Sequence, residues 1–182
     1  MRVKELLKIE RKNDEYLLEQ IKLIYASTAI ALKRNWHWEK NGIVKLMDMT
    51  HEVWKECAAT NERSMIQMLD EETGVELQNG DGKSWKDLAY LNNRINMGHM
   101  TPPQWIYMRN QQRKWIPAQV TACILLALKR KCGFDEDQIA EAYQKLLEVE
   151  QENLFAPELA LEQCLRETRV NLVECLEQEG RK

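Results

Sequence analysis

The chain has 182 residues, enough for one compact domain or two small ones, and its 44% hydrophobic and 30% charged content lets it bury a core beneath a well-solvated surface. A formal net charge of −3 argues against a bulk nucleic-acid binder, whose domain is strongly basic, and falls short of a strongly acidic DNA mimic. Seven Gly and four Pro are few for this length and favour long helices over many short strands.

The first helix starts near Val3. Asn13-Asp14 marks a pause, with Asn13 capping a second segment from Asp14 to Arg34. Leu17, Ile21, Ile24, Thr28 and Leu32 follow helical spacing there, and Lys33 and Arg34 close the segment, where cations complement the negative end of the dipole. The turn Asn35-Trp36-His37-Trp38 leads into a helix over about residues 41–58, with the stripe Ile43, Leu46, Met47, Thr50, Val53, Trp54 and Cys57. Thr60 caps a third helix that runs to Thr73, with Gly74 as its left-handed stop.

Residues 75–116 read as an insert. Asn79-Gly80-Asp81-Gly82 is a turn, Ser84 caps a short helix from Trp85 to Asn96, and Gly98 and Thr101-Pro102-Pro103 break the chain again. Residues 104–114 form a further helix bearing Arg109, Arg113 and Lys114. Pro117 suits the first position of the next helix, which covers about residues 118–131, ends in Lys129-Arg130-Lys131 and stops at Gly133. Asp135 caps a helix carrying Ile139, Ala142, Tyr143, Leu146 and Val149, and Pro157 opens a last one to about Gln178.

Twelve residues recur without a gap ninety-six positions further on. Ala31-Leu32-Lys33-Arg34 matches Ala127-Leu128-Lys129-Arg130, and Ala26, Ile43, Val53, Glu56, Glu62, Gln67, Leu69 and Glu71 match Ala122, Ile139, Val149, Glu152, Glu158, Gln163, Leu165 and Glu167. Each copy should then be one supersecondary unit that buries its apolar face on its neighbour. The expected fold is all-α, with two pseudo-symmetric three-helix repeat units, residues 1–74 and 117–182, joined by the partly helical insert 75–116 and packed as one compact domain. Val53, Leu69, Val149 and Leu165 are expected in its core, because the repeat keeps them while the polar faces drift.

The catalytic inventory is thin. His37, His51 and His99 are the only histidines, and no HExxH, zinc-spaced His/Cys cluster or Gly-rich phosphate loop occurs. The five cysteines, 57, 123, 132, 164 and 175, are odd in number and form no CxxC. The N-terminus is rich in Lys and Glu rather than apolar, so the thiols are expected to be reduced in an intracellular protein. No apolar run approaches the ~18 residues of a membrane span. Clusters such as Asp70-Glu71-Glu72 and Glu148 to Glu152 read as solvated helix faces. A non-enzyme without cofactor or metal is expected.

The basic residues carry more information. Lys33-Arg34 and Lys129-Arg130-Lys131 end equivalent helices before equivalent aromatic turns, where Trp38 matches Phe134. Such a pair of corners suits two phosphate segments or two acidic patches of a partner. Helix-end charge complementation explains the same residues at about 0.3–1 kcal/mol per cation. Arg109, Arg113 and Lys114 are interleaved with Trp105, Tyr107 and Trp115, a pattern suited to backbone contact and base stacking and equally to core anchoring. Trp36 and Trp38 read as plugs of the helix junction, because the second copy places Cys132 and Phe134 there.

The segments YASTAIALKRNWHWEKNGIVKLMDMTHEVWKECAATNERSMIQMLDEETGVEL and VTACILLALKRKCGFDEDQIAEAYQKLL resemble small proteins encoded by phages and prophages of gut Clostridia. In that group an ALKRxWGW-like helix end precedes a second amphipathic helix; this chain has His37 at the Gly position. Over nearly its whole length the chain further resembles phage anti-CRISPR proteins of the type II-A class. The resemblance implies a non-catalytic, stoichiometric inhibitor acting in the cytoplasm of the infected bacterial host. It would bind the type II-A CRISPR effector nuclease with its guide RNA, blocking target-DNA engagement or the cleavage-competent rearrangement. Acidic faces such as Glu148-Glu150-Glu152 and Glu174-Glu177-Glu179 could fill the nuclease's basic channel, or the basic corners could touch double-stranded DNA and nuclease together. The alternative is a phage-encoded nucleic-acid-binding or transcription-regulating helical protein, which would bind naked DNA with a steep salt dependence.

Overall fold

Two helices occupy the centre of the molecule because their middle turns are apolar or small on every face. All residues from 26 to 32 and from 119 to 128 are buried. In the computed structural model, residues 3–60, 64–77, 101–153 and 156–179 are described, and they form helices with no strand among them. The order is α1 (Val3–Trp36), α2 (Lys40–Thr60), α3 (Met65–Thr73), α4 (Pro102–Cys132), α5 (Glu136–Glu152), α6 (Pro157–Thr168) and α7 (Leu172–Glu179). The all-α expectation therefore holds for the described residues.

The two central helices, α1 and α4, pack on each other, and each is wrapped by helices from the far half of the chain. α1 lies mainly against α5 and α6, while α4 lies mainly against α2 and α3. Ala26, Ala29, Ala31, Ala122 and Ala127 are at most 2% exposed and keep the backbones close. Around them, one cluster joins Val53, Leu69, Leu77, Ile124 and Leu126, and a second joins Ile30, Ile43, Val149, Cys164 and Val170.

Local chemistry sets the helix ends. Ser64 accepts from the Gln67 N–H at 3.1 Å, and the Gln67 side chain accepts from the Ser64 N–H at 2.9 Å. This reciprocal box starts α3, with Thr60 instead the last residue of α2. Asp135 and Gln138 start α5 in the same way, as the sequence led us to expect for Asp135. Gly74 and Gly133 stop α3 and α4 at φ 68° and 77°, a conformation open to glycine without steric cost.

Four expectations are corrected. α1 runs through Asn13-Asp14 without a pause, since a mid-helix Asn costs only a fraction of ~1 kcal/mol. Pro117 lies inside α4, so the separate helix expected over residues 104–114 is the first part of one helix of 31 residues that opens at Pro102. An internal proline costs roughly 3 kcal/mol. Burial of the following segment, residues 119–128, outweighs it. The last helix breaks at Arg169, which adopts φ 62° and donates its N–H to the Leu165 carbonyl at 2.9 Å. Leu165 itself is 49% exposed, and Cys164 is the buried residue beside it.

That last correction has a simple cause in register. Thr73 and Thr168 each donate a hydroxyl to the carbonyl four residues back, at 2.7 Å, and each accepts from the N–H two residues on, at 3.2 Å. Glu72-Thr73-Gly74-Val75-Glu76-Leu77 thus corresponds to Glu167-Thr168-Arg169-Val170-Asn171-Leu172, a spacing of ninety-five. Met65, Leu69, Val75 and Leu77 are buried, as are Ala160, Cys164, Val170 and Leu172. An ungapped spacing of ninety-six assigns Leu165 to the place Cys164 takes. The turn expected over residues 79–82, the helix over 85–96 with its Ser84 cap, and Gly98 lie outside the described residues.

Candidate functional site

The ends of α1 and α4 converge on an aromatic cluster. Trp38 donates its N–H to the Leu32 carbonyl at 3.3 Å, and Phe134 donates to the Leu128 carbonyl at 3.1 Å, the long-range bond of a helix stop. The intervening residues, His37 and Gly133, are both left-handed, at φ 55° and 77°. A residue with a Cβ pays about 1–2 kcal/mol there that glycine does not. Trp36 lies 5.6 Å from Phe134, and Trp38 meets it edge-on at 6.1 Å. Both tryptophans are half-buried against the core.

Two arginine clamps stand beside this cluster. Arg34 on α1 grips Glu167 of α6 with Nε and Nη2, both at 3.0 Å, and reaches Glu152 of α5 with Nη1 at 3.0 Å. Arg130 on α4 grips Glu72 of α3 through Nε at 3.0 Å and through Nη2, with Nη1 3.9 Å from Glu56 of α2. Each clamp ties one central helix to two helices of the other half. Glu167 is held below the usual carboxylate range, first by the Arg34 hydrogen bond and then by Gln163 and nearby charge, against the opposing effect of burial. Arg34 and Arg130 are correspondingly raised, chiefly by Glu167 and Glu72.

The remaining basic residues are also engaged within the chain. Lys33 pairs with Glu39 at 3.0 Å, Lys129 with Glu136 at 3.7 Å, and Lys131 with Glu56 at 2.8 Å. So Lys33, Arg34, Lys129, Arg130 and Lys131 all face carboxylates of this protein. Arg109, Arg113 and Lys114 belong to α4, but their side chains lie outside the described residues. Replacing Arg34 or Arg130 by Met should each lower stability by about 1 kcal/mol, less at high salt, while Lys129→Met should change it by less than about 0.5 kcal/mol. Chemical denaturation at two salt concentrations checks this; equal effects of Arg130→Met and Lys129→Met would deny the clamp a structural role.

The acidic face expected at Glu148-Glu150-Glu152 is corrected. Spacing of two places successive residues about 200° apart around a helix, so the three do not share a face. Glu148 pairs with Lys145 at 2.9 Å, Glu152 serves Arg34, and Glu150 is drawn inward without a side-chain partner among the described residues. Burial pushes its carboxyl up to about 7. Glu174 is exposed, while the side chains of Glu177 and Glu179 lie outside the described residues. Burial likewise raises the thiols, Cys123 to about 12 and Cys164 to about 11, which keeps them protonated and unreactive.

Among the described residues, no group of three or more His, Cys, Asp or Glu side chains is placed to hold a metal ion, and no helix is long and apolar enough to cross a membrane. Arg166 and Arg169, which sequence reasoning passed over, are exposed and make no ion pair among the described residues. The signal that points to Arg169 is the match of ETGVEL, residues 72–77, with ETRVNL, residues 167–172, which sets Arg169 against Gly74. Comparison of the chain with protein-family models, with curated proteins and with solved structures finds no match.

Proposed function

We propose that the protein is a non-catalytic inhibitor of a type II-A CRISPR nuclease, binding the guide-loaded complex inside an infected bacterial cell. The observation that carries this reading is the sequence resemblance through the ALKRNWHW and ALKRKCGF helix ends and the helices that follow them. We further read the chain as an internal duplication with exchanged helices. In each unit the long helix, α1 or α4, packs on the second and third helices of the other unit. The two clamps, Arg34 with Glu152 and Glu167 and Arg130 with Glu56 and Glu72, support this reading, as do the paired Thr turns.

In such a body the arginine clamps fix the relative placement of the two units, so the surface offered to a nuclease is preformed. Preorganisation lowers the ordering cost of association. Because Lys33, Arg34 and Lys129 to Lys131 are held by carboxylates, partner binding would draw on other surfaces or would compete with those pairs. The test is co-elution: guide-loaded type II-A nuclease mixed with this protein should migrate as one complex in size-exclusion chromatography, with and without target DNA. Separate elution at micromolar concentration from every type II-A complex tried would sink the reading.

A further inference from the structure

The first half of the chain, up to residue 77, holds α1 to α3, and the second, from residue 101, holds α4 to α7. The two halves are built around each other. α1 packs on α4, α5, α6 and α7, while α2 and α3 pack on α4. The helices of the first half thus lie against the second half more than against one another. The polar ties run the same way. Gln119 of α4 accepts from the Met65 N–H of α3 at 3.1 Å, and Cys123 of α4 donates its thiol to the Thr50 carbonyl of α2 at 3.1 Å. Both arginine clamps also cross between the halves, with Arg34 on Glu167 at 3.0 Å and Arg130 on Glu72 at 3.0 Å.

A half parted from its mate therefore has no enclosed core of its own. Residues 26–32 of α1 and 119–128 of α4, all buried in the assembled body, would be laid open to water. The surface that a half needs is carried by any copy of the other half, whichever chain it belongs to. We propose that the chain forms an exchanged dimer with a second copy of itself, in which α1 to α3 of each copy pack on α4 to α7 of the other. Each of the two bodies so formed repeats the contacts of the monomer and requires no new surface. Only the covalent connection differs. A connection within one chain brings its halves together at an effective concentration on the order of millimolar. The monomer therefore prevails in dilute solution, and the dimer gains as the chain concentration approaches that value. The proposal rests on these packing contacts alone; neither the internal duplication nor the nuclease reading enters it.

The Arg34 clamp supplies a test that uses the full chain. Arg34→Glu in one variant sets a third carboxylate beside Glu152 and Glu167, and Glu167→Arg in another sets a second guanidinium beside Arg34. In a monomer of either variant the reversed charge faces a like charge. In an exchanged dimer with one copy of each, the two altered side chains meet as an opposite pair in one body, and the native pair stands in the other. The variants are unfolded in denaturant, mixed, and refolded together at a chain concentration on the order of millimolar. Native mass spectrometry then separates monomer, single-variant dimers and the mixed dimer. The mixed dimer should be about tenfold more abundant than the dimer either variant forms when refolded alone. If a variant alone fails to fold, its recovery of helix by circular dichroism on refolding with the other, together with the mixed dimer, reports the same pairing. A mixture that holds monomers only overturns the proposal. So does a mixed dimer no more abundant than the single-variant dimers, which marks an ordinary surface contact. Nuclease inhibition by a chain that does not exchange would overturn the proposal while leaving the inhibitor reading in place.

Discussion

Leu69→Ala should destabilise the protein by about 2–5 kcal/mol, whereas Leu165→Ala should cost less than about 1 kcal/mol. Leu69 is 0% exposed in the cluster that joins α2, α3 and α4, so truncation leaves a cavity that neighbours on three helices cannot fill without moving. Leu165 is 49% exposed and has little to lose. An ungapped ninety-six-residue correspondence makes the two leucines equivalent and their substitutions similar in cost. A spacing of ninety-five in the third helix pairs Leu69 with Cys164 instead, so the ratio of the two effects in urea denaturation reads the register directly. Comparable losses at both positions would restore the ungapped alignment and contradict the packing described for α6.

The second large effect depends on pH. Glu150 has a folded pKa of about 7, against an ordinary value of 4.5, because burial disfavours its charged form. A raised acid contributes its full share to stability below about pH 4.5 and loses it as pH rises through about 7, where the folded carboxyl is forced to ionise in place. Glu150→Gln should remove that loss and stabilise the protein by about 2 kcal/mol at pH 8, with little change at pH 4.5. Glu167 and Glu56 act in the opposite sense: their carboxyls are lowered by Arg34 and Lys131, so their contributions fade on acidification below the ordinary carboxylate range. The wild type should therefore be most stable on the acidic side of neutrality. A melting temperature of Glu150→Gln that tracks the wild type from pH 5 to pH 8 would show that Glu150 is solvated.

Much of the fold was legible because local signals and burial agree. Gly74 and Gly133 mark helix stops with the left-handed backbone only glycine takes freely, and Asp135 starts α5 by accepting from the Gln138 N–H at 2.8 Å. Val53 and Val149 lie in the core at 0% and 3% exposure, as their recurrence in the sequence led us to expect. The misses arise where tertiary packing overrides local preference. Pro117 reads as a helix start, yet the helix continues through it because the turns that follow are buried on every side. Arg169 gives no stop signal, since the left-handed residue there is not glycine; only the recurrence of Glu-Thr-X-Val-X-Leu betrays it.

The candidate site was legible in its residues and not in its partners. Lys33-Arg34 and Lys129-Arg130-Lys131 stand out at helix ends, but what they face lies far along the chain: Glu152 and Glu167 are 118 and 133 residues from Arg34. Nothing in local sequence links an arginine to a carboxylate at that distance. The recurrence of Glu56 as Glu152, and of Glu-Thr-X-Val-X-Leu from Glu72 and again from Glu167, was the available hint that these carboxylates stand in related places.

The functional proposal meets its most direct test in a cleavage titration. Guide-loaded type II-A nuclease at a fixed concentration well above the expected dissociation constant is mixed with increasing amounts of this protein, and target-DNA cleavage is followed. A stoichiometric inhibitor gives a linear fall in cleavage that reaches its floor at a fixed whole-number ratio to nuclease, unchanged by longer preincubation. Complete inhibition by far less than one equivalent, deepening with time, would mean turnover and contradict the non-catalytic reading. Undiminished cleavage at excess inhibitor would contradict the proposed function itself.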